Sequence, residues 1–326
     1  MPAYNAERWI EPTIKKIHEA LQAAGGLKYE IVFVDDGSND STLEVARKLA
    51  RRTPHLTVLT HANKGRFLTR KRGVMAARYD TILFVDTRVW LDKSVLKFLK
   101  EQRQGHPDRR VWNGHIFVAK QGNIIARFGD SLTLLGWRRY FRKPHLTSYG
   151  IKDFDFYPKG TGLFVCPKDL LIETIEWFEA NTTNIAFSSD DTLMIRHIAE
   201  KERIWLSPDF SATYFARTTL SAFAKHTYFR GQFFVDGFLR PGTRFYYPLL
   251  AFLLLSPIAL VVTVLFPWLL FLAAAGWMIG FFIALLLGLS LKDAASLIVL
   301  SPVFVVFYSL GIWRATIRLI YNMINK

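Results

Sequence analysis

Ile31-Val-Phe-Val34, followed by Asp35-Asp36-Gly37-Ser38-Asn39-Asp40-Ser41-Thr42, is the stretch on which the fold turns. The apolar run reads as a strand buried on both faces. Two carboxylates stand at its carboxyl end, and the polar turn after them can cap a helix. In open α/β sheets that edge is where nucleotides and sugars bind. About fifty residues on, the pattern recurs: Thr81-Ile-Leu-Phe-Val85 is a second apolar strand and Asp86 sits at its end. Two acidic strand ends in one half of a sheet point to a nucleotide-sugar site rather than a plain phosphate cradle.

The flanking sequence agrees. Trp9, Ile10, Ile14, Ile17, Leu21 and Ala24 recur at helical spacing, and Gly25-Gly26 stops that helix. A strand over 29–34, a helix over 41–52, a strand over 56–60, a helix over 66–78, a strand over 81–85 and a helix over 92–103 follow. Strand and helix alternate with short links, the signature of βαβ units and a parallel sheet. Past residue 111 the texture changes. His115–Lys120 and Asn123–Phe128, joined by Gln121-Gly122, read as a hairpin, and Gly160–Cys166 reads as another strand. Helices are expected at 168–179 and 190–201.

The rest of the chain is built for lipid. From Phe245 to Leu291 there is no charged residue, enough for two spans divided near Pro267. A third uncharged run, Ala294 to Trp313, is interrupted by Pro302. The net charge of +15 includes Arg217, Lys225, Arg230, Arg240 and Arg244 just ahead of the first span. Such flanking charge favours the cytoplasmic side and anionic lipid. No nucleic-acid motif accompanies it, so nucleic acid is not an expected partner. Three full spans would leave Arg314, Arg318 and Lys326 on the outer side, so the last segment is either a span or a re-entrant or interfacial helix. Cys166 is the single cysteine, which excludes an intrachain disulfide. The expected layout is a catalytic domain over 1–212, a basic-aromatic interfacial segment over 213–244, a membrane region over 245–313 and a basic tail over 314–326.

Several pieces, in order, resemble the inverting family 2 glycosyltransferases. They are Met1-Pro-Ala-Tyr-Asn-Ala-Glu7, Val34–Thr42, Asn63-Lys-Gly65 with Arg70, Gly73, Ala77 and Asp80, Ile82–Asp86, Gly160-Thr-Gly162 and Ser189-Asp-Asp-Thr192. The resemblance covers Met1 to about Gly231. It implies a GT-A fold, Rossmann-like with a mostly parallel sheet and flanking helices, ahead of a helical membrane region of two to three spans. It also implies a nucleoside-diphosphate sugar donor, and a UDP-linked one is expected because a carboxylate can accept from the uracil N3–H. Tyr4 and Asp35 or Asp36 would then lie on the base, Glu7 and Asp86 near the ribose, and Pro2 and Arg70 on the donor. Asp191, with Asp190 next, would be the general base that takes the acceptor's proton. Gly160, Thr161, Gly162 and Arg230 would face the acceptor or phosphate. Plainer readings stand beside these. Asp190-Asp191 suits a helix N-terminus, Asp35-Asp36 a capped turn, and Arg70 a solvated helix with Arg66, Lys71 and Arg72.

The chain departs from the family at three places. The Asp-x-Asp that normally binds Mn²⁺ or Mg²⁺ is Asp86-Thr87-Arg88 here. A guanidinium cannot ligate a cation, so a metal held by Asp86 is doubtful. In the favoured reading Arg88 itself neutralises the leaving diphosphate without a metal. The alternatives are recruitment of a metal by Asp92 and loss of catalysis. Secondly, the opening loop lacks a preceding strand, which raises the expectation of a start further upstream. Thirdly, where processive synthases carry Gln-x-x-Arg-Trp, only Arg230 remains in Thr227-Tyr-Phe-Arg-Gly231, which argues against a polymer channel. The expected protein is an integral membrane glycosyltransferase with a cytoplasmic catalytic domain. Its expected partners are a nucleotide sugar, a lipid-linked or membrane-held acceptor and the bilayer. The rival readings are a polyprenyl-phosphate glycosyltransferase and a silent membrane scaffold.

Overall fold

The computed structural model describes residues 1–182, 185 and 190–324. They form two compact units, one of residues 1–119, 139–182, 185 and 190–215, the other of residues 120–138 and 216–324. In the first unit the order is β1 (Pro2–Ala3), α1 (Glu7–Ala24), β2 (Ile31–Asp35), α2 (Thr42–Ala50), β3 (Leu56–Thr60), α3 (Arg66–Ala76), β4 (Thr81–Val85), β5 (Val89–Leu91), α4 (Val95–Gly105), β6 (Val111–Asn113) and β7 (His115–Val118). The second unit takes α5 (Ile124–Gly136). The chain then returns to the first unit within α6 (Arg138–Phe141), followed by β8 (Thr147–Tyr149), a 3₁₀ turn (Ile151–Phe156), β9 (Leu163–Pro167), α7 (Lys168–Ala180), α8 (Asp190–Lys201), β10 (Ile204–Leu206) and β11 (Ser211–Tyr214). The second unit resumes with α9 (Leu220–Phe238), α10 (Tyr246–Leu265), α11 (Leu269–Leu286) and α12 (Leu291–Ile324).

The expected parallel pairing holds in β1-β2-β3, where Val34 lies opposite Pro2 on one side and Leu59 on the other. The opening segment is thus not all loop, since Pro2 and Ala3 pair as a strand. A five-stranded sheet, β4-β9-β6-β10-β8, is mixed: β9 runs antiparallel to both neighbours while β10 runs parallel to β6. Because β4 and β9 are antiparallel, the carboxyl end of β4 meets the start of β9. The Asp86 amide donates to Gly162 O at 3.0 Å. That pairing sets the Gly160-Thr161-Gly162 loop beside the acidic end of β4. The faces of these sheets bury two cores. One is built on Ile10, Ile14, Phe33 and Trp112, the other on Phe84, Phe164, Phe178 and Ile195.

The expected hairpin over 115–128 is not there. β7 instead pairs parallel with β11, His115 opposite Ser211, and Asn123 opens helix α5. The Asn123 side chain accepts from the amides of Ile125 and Ala126 at 3.0 and 3.1 Å, an N-cap that outweighs the strand preference of two adjacent isoleucines. α5 then buries Ile125 and Phe128 against Phe223 and Leu300 of the second unit.

Three helices, α10, α11 and α12, are long and apolar enough to cross a membrane. Pro267 falls between the first two, as expected, but Pro302 does not interrupt the third. α12 continues through the residues expected to form a separate basic tail. α9 packs on it backbone to backbone. A Cβ on Gly231 would lie 2.2 Å from Tyr308 O, and one on Gly311 would lie 2.1 Å from Tyr228 O.

Candidate active site

Arg70 on α3 is the hub of the site. Its Nη1 donates to Asp191 Oδ1 at 2.7 Å and to Asp190 Oδ2 at 2.9 Å, and its Nη2 to Asp86 Oδ1 at 3.4 Å. One turn earlier on the same helix face, Arg66 Nη2 donates to Asp190 Oδ1 at 3.1 Å. The Thr161 hydroxyl donates to Asp191 Oδ1 at 2.7 Å. The structure therefore joins six residues from α3, the end of β4, the loop into β9 and the first turn of α8. Two of the hydrogen bonds close separations of 120 and 121 residues. The reading of Arg70 as a solvated member of a basic helix fails, because its side chain is only 6% exposed.

The two adjacent acids of α8 occupy different environments. Asp190 has a side chain 5% exposed, and burial, together with the neighbouring Asp191 carboxylate, pushes its pKa up. The Asp191 side chain is 30% exposed. Burial works against its charge, yet the guanidinium of Arg70, then Arg66 and the Thr161 hydroxyl, hold it below the usual carboxylate range. Arg70 is correspondingly fixed as a cation: its three carboxylates outweigh burial and raise its pKa further. Of the pair, only Asp191 is both ionised at neutral pH and open to an incoming group. The helix N-terminus adds to its stability as an anion, so a place in the first turn of α8 is compatible with a catalytic role. Ser189, the first residue of that motif, lies outside the described residues.

The acidic turn after β2 is held from within the protein. Asp36 accepts from the amides of Lys64 at 2.8 Å and Gly65 at 3.1 Å, which anchors the start of α3. Asp35 accepts from the Thr60 hydroxyl at 3.0 Å. Both are buried. The opening loop is laced to the same turn: the Asn5 amide donates to the Ser38 hydroxyl at 2.9 Å, and Glu7 Oε2 accepts from the Ser41 amide at 3.0 Å. Tyr4 is left 47% exposed, its ring open to a ligand, while Pro2 is pinned in β1. Gly37 makes the turn possible. Its φ is +67°, and a Cβ there would fall 2.6 Å from the Asn63 amide nitrogen. Gly37→Ala is expected to cost about 1–3 kcal/mol through the left-handed backbone alone. A drop in the thermal midpoint together with weakened nucleotide binding would show it.

The described residues do not make a divalent-cation site. Asp86 faces Arg70, Asp92 accepts a hydrogen bond from the Ser211 hydroxyl, and Asp190 and Asp191 are ion-paired. Among the described residues no group of three or more His, Cys, Asp or Glu is placed to hold a metal ion. The Arg88 guanidinium lies 5.2 Å over the ring of Trp9, which packs with Trp90 and Phe215. Trp9 had only the periodicity of a core position in the sequence, and its place under Arg88 went unseen. Arg66 was read only as part of a solvated basic helix, although its four-residue spacing from Arg70 was a usable signal for a shared partner. Arg230 lies in the second unit, exposed on α9 beside the buried Gly231.

Residues 1–149 match the family model described as glycosyl transferase family 2. An uncharacterized glycosyltransferase, YibD, of Escherichia coli (strain K12) is 33% identical over 86 residues, which are 26% of this chain and 24% of that protein. The matched stretch therefore spans about a quarter of that relative's length. Among solved structures, the mannosyltransferase PcManGT from Pyrobaculum calidifontis, in complex with GDP-Man and Mn²⁺, superposes with a TM-score of 0.54 at 18% identity. That match covers 98% of this chain and 86% of PcManGT. S. aureus TarS 1-349 in complex with UDP-GlcNAc gives a TM-score of 0.50 at 17% identity, covering 72% of this chain and 65% of TarS 1-349. The N-terminal part of the chain is thus homologous to the family 2 glycosyltransferases and has their GT-A-like fold, with three apolar helices consistent with membrane spans behind it.

Proposed function

We propose that the chain is a membrane-anchored inverting glycosyltransferase. It moves one sugar from a UDP-linked donor to a lipid-linked saccharide on the cytoplasmic face, in assembly of an envelope or exported polysaccharide. The observation that carries this reading is Asp191: a carboxylate kept ionised, partly open, and fixed by Arg70 and Thr161 at the end of the sheet. In the reaction the acceptor oxygen attacks the anomeric carbon while Asp191 takes its proton. The bond from that carbon to the diphosphate breaks, and negative charge gathers on the leaving phosphate. Arg88 neutralises that charge with two parallel donors in place of a cation. Tyr4 offers its ring to the base. The cytoplasmic assignment rests on the basic residues before α10.

A phosphate acceptor is the second reading, favoured by one observation. Arg70 and Thr161 spend hydrogen bonds on Asp191 and lower its basicity, and a phosphate acceptor needs no base. A silent scaffold is the third, motivated by Arg88. Binding of UDP and UDP-sugars to the purified protein, with Mn²⁺ and again with EDTA, tests the donor half. Binding should survive EDTA and weaken at least tenfold in Arg88→Ala, roughly the 1.5–3 kcal/mol of a hydrogen bond to a charged group. Binding that requires Mn²⁺ would instead defeat the role given to Arg88. Donor binding without turnover on any acceptor would favour the scaffold.

A further inference from the structure

Helix α12 has the composition of a span but mixed company: Ile312 and Ala315 share a core with Leu249 of α10, while α9 runs along much of its packed side. Its 34 residues extend roughly 51 Å at 1.5 Å each, well beyond the roughly 30 Å of hydrocarbon a crossing requires. Along that length one stripe is covered by α5 and α9. Leu300 and Phe304 pack with Phe128 of α5 and Phe223 of α9. Gly311 meets Gly231, and Ile312 and Ala315 share a core with Val235. Contacts climb from Phe223 to Val235 on α9 as they climb from Leu300 to Ala315 on α12, so the two helices run side by side in the same direction.

That neighbour is polar. α9 is not among the helices apolar enough to cross a membrane. It carries exposed Lys225 and Arg230, both within the stretch that accompanies the uncharged run of α12. The start of α12 is polar as well. Asp293, 7% exposed, accepts from Arg127 of α5 at 2.9 Å and from Lys120 at 3.3 Å, and Lys120 also pairs with Asp130. Standing α12 upright in a bilayer would carry these cations into hydrocarbon, where charge is costly. The uncovered face of α12 is apolar: Val299, Val306, Leu310 and Ile317 are each more than half exposed, at spacings that place them on one side.

We infer that α12 lies in the plane of the membrane surface. Its apolar face enters the acyl-chain boundary of a lipid bilayer, and α5 and α9 cover its other side. The occupant of that face is lipid because the face continues the apolar surfaces of α10 and α11, and because an apolar stripe backed by a basic layer matches an interfacial helix. The chain then crosses the bilayer twice. Arg314 and Arg318 return to the side of Arg240 and Arg244, in accord with the distribution of basic residues around spans. The inference is independent of the reaction assigned above.

Sidedness tests it. In the full chain, embedded in sealed vesicles, single cysteines are placed by Glu101→Cys in the first unit, Trp268→Cys between α10 and α11, and Asn322→Cys near the end of α12. The native Cys166 is buried and serves as the unlabelled background. A membrane-impermeant maleimide should label positions 101 and 322 from one side and position 268 from the other. Labelling of 322 together with 268 would overturn the inference. Spin labels at Val299, Val306, Leu310 and Ile317 should also report one common depth. A depth that rises to a maximum near Val306 and falls on both sides would mean that α12 crosses.

Discussion

Asp191→Asn should slow sugar transfer by about 10²–10⁴-fold, the usual contribution of a positioned general base. The amide has nearly the shape of the carboxylate and can keep the hydrogen bond from Thr161, so UDP binding should stay close to that of the parent chain. The loss should therefore fall in kcat, measured with saturating donor on a hydroxyl acceptor. A rate within a few fold of the parent would move the acceptor to a phosphate. Asp190→Asn should behave differently. Its carboxylate is buried beneath two arginines and cannot reach an acceptor, so its loss should be felt chiefly in stability. Removing one member of a buried ion pair typically costs about 3–5 kcal/mol. Acidity separates the two further. Because Asp191 titrates below the usual range, activity should hold from neutral pH downward and fall only when that low pKa is crossed. Arg70→Gln removes the largest influence holding the pKa down, so the acid limb of kcat/KM should move to higher pH.

The second large effect is expected from Gly231→Val and Gly311→Val. Each new Cβ would stand about 1 Å inside the closest separation tolerated from a backbone carbonyl, and backbone cannot swing aside as a side chain can. The helices must part along the whole crossing, which releases the packing of Val235, Ile312 and Ala315 as well. The cost should reach or exceed the upper end of the ~1–3 kcal/mol typical of overpacking. It should appear as a clearly lower unfolding temperature in detergent. Gly276→Val on α11 is the control, because nothing lies within 4 Å of its added Cβ. Equal thermal midpoints for all three variants would contradict the close crossing.

Much of the donor half of the fold was legible because local rules and the tertiary result agree there. The apolar runs at 31–34 and 81–85 are strands, the periodic segments between are helices, and Gly37 sits where the turn demands it. What stayed hidden depended on long-range pairing. Nothing near Arg66 reveals a carboxylate 124 residues away. The short strands β5, β8, β10 and β11 have three or four residues each, too few to show a period. Residues 124–128 misled for a different reason. Ile124-Ile125 favours a strand in isolation, and only a cap at Asn123 and a docking surface on α12 make it a helix. The third apolar run matches its two predecessors in hydropathy, and hydropathy does not register that α5 and α9 pack along it.

Helix α5 also orders the assembly of the molecule in time. The ion pair that fixes it joins Arg127 to Asp293 across 166 residues, and its apolar side closes on Leu300 and Phe304. During synthesis, most of the first unit leaves the ribosome while α5 still has no surface to rest on. It must wait, with Arg127 and Phe128 exposed, until α10 and α11 have been delivered to the membrane and α12 has followed. Nascent chains halted before residue 290 should then carry a segment over 120–138 that a protease cuts readily, and chains halted past the end of α12 should resist.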